Sequence, residues 1–223
     1  MQTARLVNLL SVPTEPYVTI LGKISEDKHV TNVLKGETIY SQGGRADAIY
    51  FVQTGRVKVS VVSPAGKEAV LALLGPHDYF FGAECLVGQS FRRSTASTLE
   101  SSTLFKVEKR VMFRALRAEP DLSIRFIASL LTRNAGLEED LCDQLFNHSE
   151  KRLARVLLKL AHMGECGGAP DSTIPPMTHE ILAEVVGTTR ARITHFMNKF
   201  RRMGLIDYDG HEIVITERLM NVL

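Results

Sequence analysis

Thr189, Arg190, Arg192, His195 and Lys199 recur at a spacing that puts them on the outer face of a helix, and no acid lies between Arg190 and Met203. Clustered guanidinium, ammonium and imidazole groups of this kind suit anions, above all the phosphates that line a nucleic-acid groove. The segment that must hold them runs from Met177 to Met203, MTHEILAEVVGTTRARITHFMNKFRRM. Thr178 can cap a first helix from His179 to Val186, because its hydroxyl accepts a backbone N–H left free at the helix start. Gly187 supplies a turn in which a side chain would oppose a positive φ. Thr188 or Thr189 then caps a second helix running to about Met203. Ala183 is small where the helices cross, and Ile193 and Phe196 face back into a core. The spacing predicts a helix-turn-helix that inserts its second helix into DNA. The rival reading, an amphipathic helix pair with solvated arginines, does not account for the agreement of turn, crossing residue and anchors.

Directly afterwards, residues Gly204 to Ile215 (GLIDYDGHEIVI) hold two short apolar strands joined at Asp209-Gly210, a strong hairpin signal. A helix-turn-helix followed by a hairpin makes a winged helix.

The whole chain has 223 residues and a net charge of +2, enough for one large domain or two small ones but too little charge for a polycation. Nucleic-acid binding must therefore come from local clustering. No apolar run approaches the ~20 residues that cross a bilayer, and the N-terminus does not read as a signal peptide, so no membrane association is expected. Cys85, Cys142 and Cys166 are odd in number and widely spaced, matching neither a disulfide framework nor a CxxC metal site. A reducing, cytoplasmic location follows, with Cys85 and Cys142 as buried free thiols and a redox role as the alternative.

Three parts must position these residues. Residues up to about Val30 read as a helical lead-in. From Thr31 to about Glu108, short β-rich runs alternate with glycine turns: Ile49–Val52, Val57–Val62, Val70–Leu74 and Leu104–Val107. Such spacing predicts an antiparallel jelly-roll. A short helix follows around Arg110 to Ala118, and Pro120 is well placed to open a long one. Along that helix Ile127, Leu130, Asn134, Leu137 and Leu141 recur at steps of three and four, with Leu145 one position off the repeat. This is a coiled-coil seam, which implies a partner helix and hence a homodimer. Asn134 either pairs across the dimer or is exposed near Gly136. A further helix from Ser149 to about Met163 leads through the loop Gly164 to Pro176 to the helix-turn-helix. The expected domains are 1–118, a dimerisation helix 119–147, and 148–223; the fold class is α+β.

This order, with Lys35-Gly-Glu37, Tyr50–Gly55, Phe81-Gly82, Arg93-Ser94 and the helix-turn-helix, resembles the CRP/FNR family of transcription regulators over nearly the whole length. The resemblance implies a cyclic nucleotide inside the barrel. Its phosphate would be held by Arg93, Ser94 and the backbone around Gly82, Ala83 and Glu84, where a guanidinium fork and a positive helix end meet an anion. The alternative makes Arg93 a surface residue beside Arg92. Two departures matter more. The family's cAMP binders place a glutamate directly after that glycine to hold the ribose, whereas this chain has Ala83 there and Glu84 one residue late. They also place two hydroxyl residues on the adenine where an ungapped match from Pro120 puts Leu137 and Glu138. The phosphate end is kept while the ribose and base ends are not. An anionic, nucleotide-like effector is therefore expected, with cAMP, cyclic di-GMP and no small effector all open. The family's iron–sulfur chemistry lacks its N-terminal cysteines here, and His77 reads as a solvated loop histidine, not a haem ligand.

On the DNA side the resemblance makes Arg190 a base reader, able to fork onto guanine O6 and N7. Ala191 and His195 stand where the cAMP receptor protein has glutamate and arginine, so that protein's operator does not transfer. Thr189, His179 and Lys199 are expected on phosphates. The expectation is a non-enzymatic homodimer on a palindromic operator, its half-site centres ~34 Å apart, working with RNA polymerase. Asn134 and Glu138 are the expected coupling residues. The rivals are an effector-independent regulator and a nucleotide-sensing module that acts on a protein partner.

Overall fold

The computed structural model describes residues 28–76, 81–162, 173–174, 177–208 and 212–222. Contacts divide the chain into two compact units, Met1–Val57 with Pro76–Leu137, and Lys58–Gly75 with Glu138–Leu223. The expected lead-in falls largely outside the described residues, as do His77, Cys166 and the Asp209-Gly210 turn.

In the first unit, β1 (Lys28–Val33), β7 (Ser102–Glu108) and β3 (Ala48–Thr54) form an antiparallel sheet in that order. The sequence reading carried the helical lead-in to about Val30, but Lys28 to Val30 are strand, their register fixed by pairing of Lys28 with Val107 and Val30 with Phe105. Here a sheet partner distant in sequence overrides the local pattern. β2 (Thr38–Tyr40) and β6 (Thr95–Thr98), too short to stand out in the sequence, pair with one another. Ile49, Phe51, Cys85, Phe105, Val107 and Met112 form the unit's apolar core. Met112 belongs to α1 (Lys109–Ala118), and Leu122 adds the start of α2 (Pro120–Phe146).

α2 is continuous for 27 residues, about 40 Å, with Gly136 inside it. Its apolar seam is bare: Ile127, Leu130, Leu137, Leu141 and Leu145 are all exposed, and so are Ile124 and Leu131. Asn134 is exposed among them. No helix among the described residues is long and apolar enough to cross a membrane.

The second unit holds the β4–β5 strands, apart from Val57 at the start of β4 (Val57–Val62; β5 is Glu68–Leu74), and the α-helical C-terminal part. α3 (Ser149–His162), α4 (His179–Val186) and α5 (Arg190–Arg202) pack around Leu153, Leu157, Leu182, Ile193, Phe196 and Phe200. β9 (Ile206–Tyr208) and β10 (Ile213–Ile215) make the expected wing hairpin. A third strand, β8 (Thr173–Ile174), joins β10 within what the sequence presented as loop. Two residues carry no periodicity to detect; what holds them is the ladder and the fully buried Ile174.

Candidate nucleic-acid interface and effector site

The helix-turn-helix is built by local chemistry. The Thr178 hydroxyl accepts from Ile181 N at 3.3 Å and caps α4, while Thr189 accepts from Arg192 N at 3.4 Å and caps α5. Between them Gly187 has φ 69°, the left-handed turn that the sequence required of it. Thr188 N donates to Ala183 O at 3.0 Å, which closes the turn. Arg152 of α3 reaches the carbonyl end of α4, its Nε donating to Val186 O at 3.1 Å. Ile193, Phe196, Met197 and Phe200 bury one stripe of α5. That burial fixes which residues point outward.

His195, Arg192 and Arg190 are exposed on α5. His179 lies against the same helix, its Nδ1 2.8 Å from Thr194 Oγ1. Two of the expected contacts are engaged in surface ion pairs: Arg190 Nε with Glu180 at 2.9 Å and Lys199 Nζ with Glu150 at 2.7 Å. Pairs of this exposure are worth well under about 1 kcal/mol and exchange easily for a phosphate. Asn198, Arg201 and Arg202, which the sequence pattern did not single out, are exposed on or beside the same face. With His195 these line an open hollow of about 680 Å³.

The barrel site is organised otherwise. Along β6 and the segment leading to it, Arg92, Ser94, Ala96 and Thr98 are buried while Arg93 is exposed. Side chains alternate along an extended segment, so the inward set of Ser94, Ala96 and Thr98 forces Arg92 inward and Arg93 out. The structure thus turns Arg92 to the inner face of the barrel, and Arg93, expected there, lies on the surface. The signal was present in the sequence as small residues at every second position.

Arg92 is only 3% exposed. Its Nη1 donates to Gly82 O and its Nη2 to Ala48 O, both at 2.7 Å. Glu84 Oε1 lies 3.4 Å from Nη1. The guanidinium carbon sits 4.3 Å from the Tyr40 ring centroid and 5.6 Å from that of Tyr50, within cation–π reach. Tyr40, Tyr50 and Phe81 cluster with centroids 5.5–6.1 Å apart. Gly82, at φ 73°, must be glycine: a Cβ there would fall 2.5 Å from Arg92 Nη1. Buried in this way, Arg92 keeps one donor, Nε, without a hydrogen-bond partner.

Burial, then the nearby Glu84 charge, push the Tyr40 hydroxyl up to about 12. Burial likewise raises Tyr50 and the Cys85 thiol. Cys85 donates to Gly82 O at 3.5 Å and packs in the core, a structural thiol. Cys142, expected to be buried, is exposed on α2. Glu84 turns to Arg92, and Ala83 begins the single 3-10 turn Ala83–Val87. Leu137 and Glu138 are exposed on α2.

Two family models match the chain: a cyclic nucleotide-binding domain over residues 30–119 and a Crp-like helix-turn-helix domain over residues 151–220. The chain belongs to the CRP/FNR family. It is 26% identical over 184 residues, 82% of each chain, to the CRP-like cAMP-activated global transcriptional regulator of Mycobacterium tuberculosis. It is 29% identical over 175 residues to the cyclic AMP receptor protein of Thermus thermophilus, covering 77% of this chain and 76% of that one. Among solved structures, FixK2 from Bradyrhizobium japonicum matches with a TM-score of 0.77 at 19% identity, over 87% of this chain and 96% of its own. The c-di-GMP responsive global regulator CLP of Xanthomonas campestris matches with a TM-score of 0.74 at 19% identity, over 89% and 98%. As a CRP/FNR-family protein this chain is a DNA-binding transcription regulator.

Proposed function

We propose that this CRP/FNR regulator is a cytoplasmic homodimer whose DNA affinity is set by an anionic nucleotide held beside Arg92. The observation that carries the effector reading is the buried guanidinium with one donor left over. An unpaired buried donor costs free energy, and a phosphate oxygen would satisfy it. Gly82, Ala83, Glu84 and Ser94 complete the phosphate end, with Leu137 and Glu138 of α2 at the base end. Relatives named for cAMP and for c-di-GMP make both nucleotides candidates. The bare seam through Ile127, Leu130, Asn134, Leu137, Leu141 and Leu145 supports a dimer, since an exposed row of large apolar residues calls for a second helix. Two copies of α5 would then read a palindrome, with Arg190 and Arg192 on bases and Thr178, His179, Thr188, Thr189 and Lys199 on phosphates. RNA polymerase is the partner that such a regulator addresses.

A second reading is favoured by one observation: Arg92 already donates both terminal nitrogens to protein carbonyls, so the site is self-held without a ligand. That would suit an effector-independent regulator. Calorimetric titration of the dimer with cAMP and, separately, cyclic di-GMP decides between them. Saturable heat with either, abolished by Arg92→Ala in a folded variant, is the expected result. No heat from both, with DNA affinity unmoved by either, would leave the effector-independent reading.

A further inference from the structure

The direction in which α5 faces carries more than its first two turns. At 3.6 residues per turn, Ala191, His195, Asn198 and Arg202 fall within about 30° of the line opposite the buried stripe of Ile193, Phe196, Met197 and Phe200. All four are exposed. The outward line of α5 therefore begins at a small apolar residue and ends in donors. Arg201 adds a second guanidinium on the flank of that line, and His195, Asn198, Arg201 and Arg202 line the open hollow of about 680 Å³. No carboxylate lines it. Arg201 and Arg202 have no ion pair among the described residues, whereas Arg190 and Lys199 each have one.

Geometry decides what such a hollow meets when the helix start is in the groove. Arg190 and Arg202 are about 18 Å apart along the axis, and the major groove is about 12 Å wide. With its N-terminal turns against base edges, α5 carries its last turn to the groove wall, where phosphates lie. Two guanidiniums, with further donors from Asn198 and His195, match phosphodiester oxygens, which only accept.

We propose that His195, Asn198, Arg201 and Arg202 form a clamp for the DNA sugar–phosphate backbone, separate from the base-reading start of α5. This rests on the family's DNA binding and adds a second contact region to it. The simpler role for Arg201 and Arg202, cations stabilising the negative end of a helix, accounts for their charge but not for the shared hollow. It also predicts a loss of stability and no change in salt dependence.

The experiment measures association with two duplexes across a salt series, for wild type, Arg201→Ala, Arg202→Ala and the paired lysine variants. One duplex is of mixed sequence; the other is the tightest recovered from a randomised pool. Each alanine variant is expected to flatten the slope of log K against log salt by about 0.9 per clamped phosphate in each half-site. The loss should be equal on both duplexes, and the lysine variants should keep the slope. An unchanged slope with wild-type thermal melting would overturn the clamp and leave the hollow to an acidic protein surface. A loss confined to the selected duplex would overturn it in favour of base reading. Wild-type protein that binds neither duplex would instead sink the DNA reading itself. Lysine variants that lose the slope while melting normally would also count against a charge-based clamp.

Discussion

Arg92 and Arg190 each stand beside a glutamate, but the two pairs belong to different physics. The Arg190–Glu180 pair lies in solvent, with side chains 71% and 52% exposed. The Arg92–Glu84 pair is enclosed, at 1% and 18%, and hydrogen-bonded to the barrel backbone. Water screens the first, so exchanging Glu180 for a phosphate costs little. In the second, desolvation has already been paid, and moving the guanidinium would strip carbonyls and a carboxylate of their partner. The DNA face is thus made for exchange with an outside anion, whereas the barrel site holds its own residues in place.

The sharpest way to break that contrast is to remove each arginine in turn. Arg92→Ala should destabilise the protein by about 3–5 kcal/mol, since it leaves Glu84 and two carbonyls without their donor. Arg93→Ala, one residue along and exposed, should stay within about 0.5 kcal/mol. Urea unfolding of both variants checks the pair, and equal losses would refute the inward assignment of Arg92. Arg190→Ala should do the reverse: near-neutral stability, with about 1–3 kcal/mol lost in DNA affinity and discrimination relaxed at one base pair. A competition assay against duplexes varied at single positions reads both.

The same division explains what could be read in the sequence. The helix-turn-helix was legible because its determinants are local: Thr178 and Thr189 as caps, Gly187 at the turn, and Ile193 with Phe196 three residues apart on the buried stripe of one helix. The barrel depends on partners far apart in the chain. Which of two adjacent arginines turns inward is set by the alternation of Ser94, Ala96 and Thr98, and that by pairing of β6 with β2. β1 and β8 are likewise strands only because β7 and β10 lie beside them. Arg201 and Arg202 were visible as charges, but their use depended on the outward line of α5 and on the hollow it borders.

Alkaline titration sharpens the barrel half of the comparison. Tyr40 is raised from 10.0 to about 12, first by burial and then by Glu84. Its folded form keeps the proton that an unfolded chain releases near pH 10. The neutral phenol therefore contributes stability below pH 10 that is lost as the pH rises from 10 to 12, by about 1–2 kcal/mol after allowance for partial exposure. Tyrosinate absorbance should show delayed ionisation of both Tyr40 and Tyr50 in wild type, and Tyr40→Phe should remove one of the two delayed protons. A Tyr40 that ionises with the exposed tyrosines would mean that the site is open to water.

Lys58 in the second unit lies between the two extremes and tests whether burial is the controlling variable. Its Nζ is 2.9 Å from Glu68 Oε1 and 3.3 Å from Glu184 Oε2, which links β4 to α4, with side chains 16%, 35% and 29% exposed. Burial lowers the pKa of Lys58, but the hydrogen bond to Glu68 and the two carboxylate charges outweigh it and raise it. Glu68 is lowered, first by the Ser60 hydroxyl and then by Lys58. A depressed carboxylate contributes stability above its unfolded value of 4.5 and loses it as pH falls through the lower folded value. Glu184→Gln at neutral pH should therefore cost more than loss of the Arg190–Glu180 pair and less than loss of Arg92, within about 1 kcal/mol. The cost should shrink in high salt, because pairs of this exposure are still partly screened. Urea unfolding at low and high salt measures it. A cost as large as that of Arg92→Ala would show that contact geometry, not burial, sets the strength of the charge pairs in this protein.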